Sequence, residues 1–528
     1  MMDEAKKAMT RKDYRQAADY YTAVLEQPSQ RFSREAQELL GLARERNGQL
    51  AHARTEYETY LRLYPEGEDA DRVRQRLAVL LTATAAPQET LRDARPARVS
   101  RTELRGSFSQ FYNRFDNFPD EGGRVLTRSV LSTDLDAALR HRGDGYDVAA
   151  VLNGGYDYDF LDDRDNIFRL NRLHLDWTDR RLGLSTRLGR QTRSTDGVLG
   201  RFDGIVLGYQ PIRPVRVNAL FGYPTNRARV DKFEGDKHFA GLSLDLGTFA
   251  ERLNFNVYGI RQQAEGLLDR EAVGLEARYV DSSRSAFVLV DYDVSYRELN
   301  TILAVTTWIL KDRTTLNVVF DQRKTPILTT SNALIGQPER SLSHLRRTLS
   351  EAEVRDLARD RTATSRALTL GATRPLSERF QLSGDVTVSE TTGTPESRGV
   401  PAMPATGYGY AASLQLMATS LIKNGDVEIV GLRYSNAGDV ETIGADLSTR
   451  YPITEKWRLS PRIQADYRRL LREDDDEVRF RPALATDYSL TRWARFELEV
   501  GVDWTPRWFS RDAETLDSFL TVGYRLDF

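Results

Sequence analysis

Arg172, His174 and Asp176 alternate along the chain, so an extended strand carries all three side chains on one face. An imidazole between a guanidinium and a carboxylate can take up and release a proton near neutral pH. The same spacing recurs with other ions. Arg187 stands alone upstream, and near the C-terminus Arg458, Arg462 and Asp466 share one parity, as do Arg479, Arg481 and Asp487, and Arg495, Glu497, Glu499 and Asp503. Such mixed-sign faces suit two kinds of chemistry. Charges on neighbouring strands pair and stiffen a wall, or they form a track that guides a polar polymer or passenger. The His174 cluster reads as one rung of this ladder of opposed charges rather than as a separate proton relay.

Little else in the sequence points to a reaction centre. His52, His141, His174, His238 and His344 fall on separate segments without the spacing of metal ligands. Cysteine is absent, which excludes thiolate ligands, thiol nucleophiles and disulfides. No phosphate-binding loop, nucleophile elbow or HExxH motif occurs. No catalytic residue, metal or cofactor is expected, and the chain does not read as an enzyme. Its 75 Lys and Arg against 77 Asp and Glu give a net charge of −2, without the basic excess of a nucleic-acid binder. Mean hydropathy is below zero, and no apolar run approaches the ~18–20 residues of a membrane helix. Met1–Lys7 has no apolar stretch or small-residue cleavage site, so the natural polypeptide is expected to begin upstream, with an export signal and further repeats.

The ionic residues are positioned by a period of two that runs from Thr102 to the end. In Trp457–Tyr467 the odd positions include Trp457, Leu459, Ile463 and Tyr467, opposite Arg458, Arg462, Gln464 and Asp466. Val478, Phe480, Leu484 and Tyr488 oppose Arg479, Arg481 and Asp487, and Phe496, Leu498, Val500, Val502 and Trp504 oppose Arg495, Glu497, Glu499 and Asp503. These runs are roughly 10–14 residues long, against ~5–6 in a soluble sandwich; tilted strands of ~9–11 residues cross an outer membrane. Ions on every inner face are costly in a sandwich core but expected in a barrel lumen whose other face meets lipid. The segment 102–528 is therefore expected to be a transmembrane antiparallel β-barrel of about 22 strands, within a range of roughly 16–24. Short turns, such as Lys311–Arg313 and Leu490–Arg492, alternate with long connections, such as Pro224–Lys237 and Glu390–Thr406; short connections near Tyr296 and Ala437 break the pattern. With the N-terminus in the periplasm, Trp177, Trp308, Trp457 and Trp493 fall at one set of strand ends and Trp504 and Trp508 at the other. In the last run Leu520, Val522, Tyr524, Leu526 and Phe528 share the lipid face.

Pro326–Thr362 is the longest interruption. Leu342, Leu345 and Leu349 form one apolar stripe, and Ser350-Glu351-Ala352-Glu353 is a capping box opening a helix with Val354 and Leu357 inside. These helices are expected either to ornament the exterior or to enter the lumen as a plug.

Residues 1–83 lack strand alternation and are rich in Ala, Leu, Glu, Arg and Tyr. Leu40, Gly41, Ala53, Tyr57 and Pro65 have the spacing of a tetratricopeptide repeat. Small residues at 41 and 53 allow two helices to cross closely, Tyr57 fills the next gap, and Pro65 ends the second helix. Ala17 and Tyr21 take matching offsets in an earlier copy ending at Pro28, and a third helix is expected over Glu68–Leu81. A generic helical hairpin domain is the plainer alternative. Residues 84–101, with Pro87 and Pro96, read as a linker.

Helical repeats joined to an outer-membrane barrel resemble the export proteins of bacterial exopolysaccharide systems (cellulose, poly-N-acetylglucosamine) and the surface lipoprotein assembly modulators. The resemblance rests on Leu40, Gly41, Ala53, Tyr57 and Pro65 and on the aromatic-ended terminal strand. It implies repeats that dock a periplasmic protein, a barrel that passes or displays a polysaccharide or protein cargo, and Tyr524, Leu526 and Phe528 as the signal read by the barrel-assembly machinery. The chain departs from these families in having more strands and fewer repeats, and a barrel of this size is also similar to those of energy-coupled nutrient receptors. Two functions follow as expectations: a transport or secretion conduit in contact with outer-membrane lipids, or a plugged barrel that anchors the repeats at the membrane.

Overall fold

A computed structural model of the chain describes residues 1–11, 13–25, 33–64, 69–70, 72–74, 76–77, 100–119, 123–161, 164–198, 200–225, 235–472, 475–506 and 514–528. Pro28, Pro65, Trp508 and residues 84–99 of the expected linker lie outside the described residues. The chain divides into two compact units, Met1–Arg98 and Val99–Phe528.

The first unit contains α1 (Met2–Thr10), α2 (Tyr14–Leu25), α3 (Ser33–Arg46) and α4 (Leu50–Leu63); residues 69–70, 72–74 and 76–77 are also helical. Asp13 caps α2 by accepting the Gln16 amide at 3.1 Å. Gly48, with φ +76°, ends α3 in the left-handed conformation that glycine adopts without strain. Ala5, Ala17, Tyr21, Ala36 and Leu40 bury one seam between the helices. Ala53, Tyr57, Tyr60, Ala70 and Val73 bury another. Gly41 is required where these helices meet, because a Cβ there would lie 2.4 Å from Cε1 of Tyr57.

The second unit is a closed barrel. Its first eleven strands are β1 (Arg101–Pro119), β2 (Val125–Arg142), β3 (Tyr146–Asp159), β4 (Ile167–Asp179), β5 (Leu184–Arg193), β6 (Gly200–Ile212), β7 (Val215–Pro224), β8 (Lys237–Phe249), β9 (Leu253–Ala264), β10 (Leu267–Val280) and β11 (Arg284–Asp293). The rest are β12 (Glu298–Ile309), β13 (Thr315–Thr325), β14 (Ala363–Pro375), β15 (Phe380–Thr391), β16 (Gly409–Thr419), β17 (Val427–Ala437), β18 (Val440–Pro452), β19 (Trp457–Leu470), β20 (Asp475–Ser489), β21 (Ala494–Thr505) and β22 (Thr515–Asp527). Each strand pairs antiparallel with its sequence neighbours, and β1 pairs with β22 from Ser107↔Asp527 to Pro119↔Thr515. This closing seam leaves the sheet without two open edges. The terminal Phe528 extends the seam: its amide donates to the Gly106 carbonyl at 2.9 Å and its carbonyl accepts the Gly106 amide at 2.8 Å. Its ring lies over Gly106, where a Cβ would approach it to 2.6 Å.

One face of the sheet is apolar yet exposed. Ile443 is 58% exposed and Leu432 55%, on the parity opposite that of Arg433 and Asp446. Trp177, Trp308, Trp457 and Trp493 are exposed at the end where β1 begins and β22 ends, while Tyr156, Tyr158, Tyr410, Tyr434 and Tyr467 are exposed near the other end. An apolar outer belt between two aromatic girdles on a closed barrel is the outer surface of an outer-membrane protein. The protein is an outer-membrane barrel, and the end at which β1 begins is periplasmic. β1 and β2, at 19 and 18 residues, exceed the 10–14 expected, because Arg101–Gly106 of β1 pairs with Ala137–Arg142 of β2 beyond the seam with β22. The external connections Val294–Arg297 and Gly438–Asp439 are as short as periplasmic turns, and so is Glu265–Gly266 between β9 and β10.

Between β13 and β14, a 3-10 turn (Thr330–Leu334) precedes the short α5 (Leu342–Leu345) and α6 (Glu351–Asp360). Both partners of the Ser350–Glu353 capping box are in place. Leu342, Leu345, Val354 and Leu357 are buried, with Leu349 packed against them, around Tyr296 of the β11–β12 connection and Ala264 and Leu267 flanking the β9–β10 turn. The insertion is therefore fastened to the external rim over β9–β12.

Candidate functional site: the barrel lumen

On the inner face of β17–β22 the expected ions pair across strands. Arg458 donates to Asp487 at 2.9 Å, Arg479 lies 3.1 Å from Asp503, and Arg462 pairs with Glu499. Arg495 is the exception, lying 3.9 Å from Glu497 of its own strand, β21. Asp466 is held from two sides by Arg481 and Arg433. A cavity of about 710 Å³ runs along this wall, lined by Arg433, Arg462 and Arg481 and by Asp446, Asp503 and Asp517 among others. On β4 and β5 Arg187 grips Asp176 with two hydrogen bonds. His174 is buried, 3.7 Å from Asp176 and 3.3 Å from the Arg190 carbonyl, and Arg172 turns instead to Asp136 at 3.5 Å. These residues thus belong to two adjacent pairs rather than to one triad.

The lumen is not ionic throughout, which departs from the alternation read in the sequence. Phe202, Val206, Leu220, Phe239, Ile260 and Ala272, contributed by β6–β10, form a buried apolar patch together with Val198. Apolar side chains are tolerated there because the short β5–β6 connection folds inward and covers them. Four strand spacings, about 19 Å of wall, separate β6 from β10, yet the connection touches both. The Asp196 amide donates to Glu276 at 3.1 Å, and Asn256 donates to the Asp196 carboxylate at 2.7 Å. Arg270 donates to the Gly197 carbonyl at 2.9 Å and pairs with Asp291, which also accepts the Tyr258 hydroxyl at 2.7 Å. Asp196 and Gly197 have φ of 59° and 76°, and a Cβ on Gly197 would meet the Tyr258 ring at 2.7 Å. This inward loop narrows the lumen. From the sequence alone, Ser194–Asp203 reads as a long external connection, with the Asp196-Gly197 pair as its one local signal; β6 begins already at Gly200, so the connection is shorter than that reading.

The insertion is latched to the rim by Glu265, whose carboxylate accepts the amides of Leu342 at 3.1 Å and Ser343 at 2.9 Å. Burial alone raises its pKa, but the Ser343 hydroxyl and these amides outweigh that and hold it below the ordinary glutamate value. A lowered folded-state pKa means a contribution present above the unfolded-state pKa and lost as pH falls through the folded one. Acidification through and below the usual carboxylate range is therefore expected to loosen the insertion. Glu265→Gln should loosen it already at neutral pH, and protease nicking within 326–362 on intact cells reads both.

Tyr21 and Tyr57, singled out by the repeat spacing, are fully buried together with Ala17 and Ala53, and Leu40 is nearly so; these side chains pack helix against helix. Among the described residues no group of three or more His, Asp or Glu is suited to a metal.

No protein-family model matches the chain, and no curated protein is similar to it. Among solved structures it is similar to OccK2 (OpdF) of Pseudomonas aeruginosa, with 12% identity and a TM-score of 0.39 over 81% of this chain and 98% of that one. OccAB3 of Acinetobacter baumannii shares 7% identity with a TM-score of 0.39, over 81% of this chain and 100% of that one. A BenF-like porin of Pseudomonas fluorescens Pf-5 shares 11% identity with a TM-score of 0.38, over 81% and 99% of the two chains.

Proposed function

We propose that the barrel is a non-enzymatic passage for hydrophilic cargo across the outer membrane, and that the N-terminal helices are a periplasmic docking module for a protein partner. The observation that carries this reading is the lumen wall. Paired ions border cavities of about 710 and 440 Å³, a surface built to be wet rather than packed. The spacing of Gly41, Ala53 and Tyr57 supports a repeat-type helical module, and the exposed residues of α2 and α4, such as Gln16 and His52, are where a partner would be met. A second reading, a closed barrel that anchors the helices, is favoured by the inward β5–β6 loop and by the insertion over the rim.

Planar-bilayer recording separates the two. A passage conducts, and deletion of 326–362 leaves or increases its conductance; a barrel silent both before and after that deletion refutes the passage. Photo-crosslinkers at Gln16 and His52 should capture a single periplasmic protein, and the absence of any adduct argues against the docking module.

A further inference from the structure

The two lumenal cavities differ in charge. Along β17–β22 arginines and aspartates balance, whereas at the periplasmic end of β2–β7 they do not. There a cavity of about 440 Å³ is lined by Arg140, Arg180, Arg187 and Arg216 around only Asp147 and Asp176. Arg193 also borders it, but its charge is met by Asp196 of the inward loop.

Three guanidiniums share one carboxylate: Arg140 donates to Asp147 at 3.0 Å, Arg180 lies at 3.5 Å, and Arg142 at 3.7 Å. Arg216 donates only to neutral oxygens, those of Asn218 and Ser185, and among the described residues no carboxylate pairs with it. The side chains of Arg180 and Arg140 remain 57% and 47% exposed, so their unused N–H groups face the cavity rather than the wall. Guanidinium forks match the two oxygens of a carboxylate. Four of them, presented from β2, the β4–β5 turn, β5 and β7, favour a solute carrying several carboxylates over a monovalent ion. Among the described residues no aromatic side chain lines the cavity, which leaves charge rather than stacking to recognise the solute.

We propose that this periplasmic mouth is a binding station for polycarboxylate anions, next to the constriction made by the inward loop. The station deepens the passage reading by naming a cargo class, and its position has anions gathered on the periplasmic side. Low-dielectric walls around an excess of one sign raise the local concentration of counter-charged solute.

Equilibrium binding of citrate to the purified full chain in detergent tests the station without requiring conduction. Triethyl citrate serves as the neutral counterpart and inorganic phosphate as a second oxyanion. Citrate is expected to bind and its ester not to. Arg180→Gln/Arg216→Gln should weaken citrate by about tenfold or more, and Arg216→Lys, which keeps the charge but loses the fork, by less. Asp147→Asn, which releases three guanidiniums, should tighten it, a gain that a misfolded barrel cannot produce. Equal binding of citrate and ester, or an unchanged affinity in the double variant, overturns the station. Tighter binding of phosphate than citrate overturns the carboxylate assignment. A protein that binds citrate as expected but never conducts refutes the passage and leaves the station standing.

Discussion

Replacing Thr195–Val198 with two glycines is expected to raise single-channel conductance severalfold, the largest effect of any small change in the barrel. The segment bridges from β5–β6 to the inner face of β9 and β10, and four side chains there fix it: Asn256, Glu276, Arg270 and, by packing, Tyr258. Each charge-assisted hydrogen bond in such a network contributes about 1.5–3 kcal/mol, so thermal motion alone does not release the loop. Removing it also uncovers Phe202 and Ile260, whose apolar faces would then line a wider water path. Asp196→Ala, which removes the Asn256 and Arg193 anchors but leaves the backbone contacts, should give a smaller increase with more current noise. If the shortened loop conducts no better than the parent chain, the narrowest point of the lumen lies elsewhere and the insertion over the rim becomes the barrier to examine.

The second large effect is expected far from the membrane. Gly41→Val places a branched side chain where even a Cβ would lie 2.4 Å from the Tyr57 ring. That ring cannot swing aside, because it is fully buried and its hydroxyl donates to Glu45 at 2.5 Å. Overpacking of this kind costs about 1–3 kcal/mol and sometimes more. A helical unit of this size has only ~0.05–0.15 kcal/mol per residue to lose. Its unfolding temperature should fall by more than about 10 °C, read by thermal proteolysis in outer-membrane vesicles with the resistant barrel as internal control. A valine variant that melts with the parent would mean that α3 and α4 do not cross at Gly41.

How much of this was legible in the residues differs between the parts of the chain. Barrel, strand number and orientation follow from local pattern. A period of two repeated over runs such as Ala494–Trp504 states which side chains meet lipid, and a strand's pairing partner in a meander is simply its neighbour. The ionic pairs of β19–β21 were legible for the same reason, since adjacent strands bring adjacent faces together. The capping box at Ser350 is equally local. Gly41 and Tyr57 were visible as a spacing with a packing reason, and the packed helices add how closely they meet, a Cβ at 41 lying 2.4 Å from the Tyr57 ring.

What the sequence by itself determined is the class of object: a transmembrane barrel of antiparallel strands preceded by helices, with lipid and water sides assigned residue by residue. Only the tertiary structure decided what the lumen does with its interior. The curvature of the sheet brings β6 and β10, four strands apart, around one stretch of lumen, so that the loop at Asp196 can reach Glu276, eighty positions away in the chain, and turn an apparently misplaced apolar patch into a covered one. The same curvature gathers Arg140, Arg180, Arg187 and Arg216 from separate elements around two aspartates. Alternation reports which face a residue occupies, a property of one strand. Charge excess and constriction are properties of the space that many strands enclose, and no single strand's pattern encodes that space.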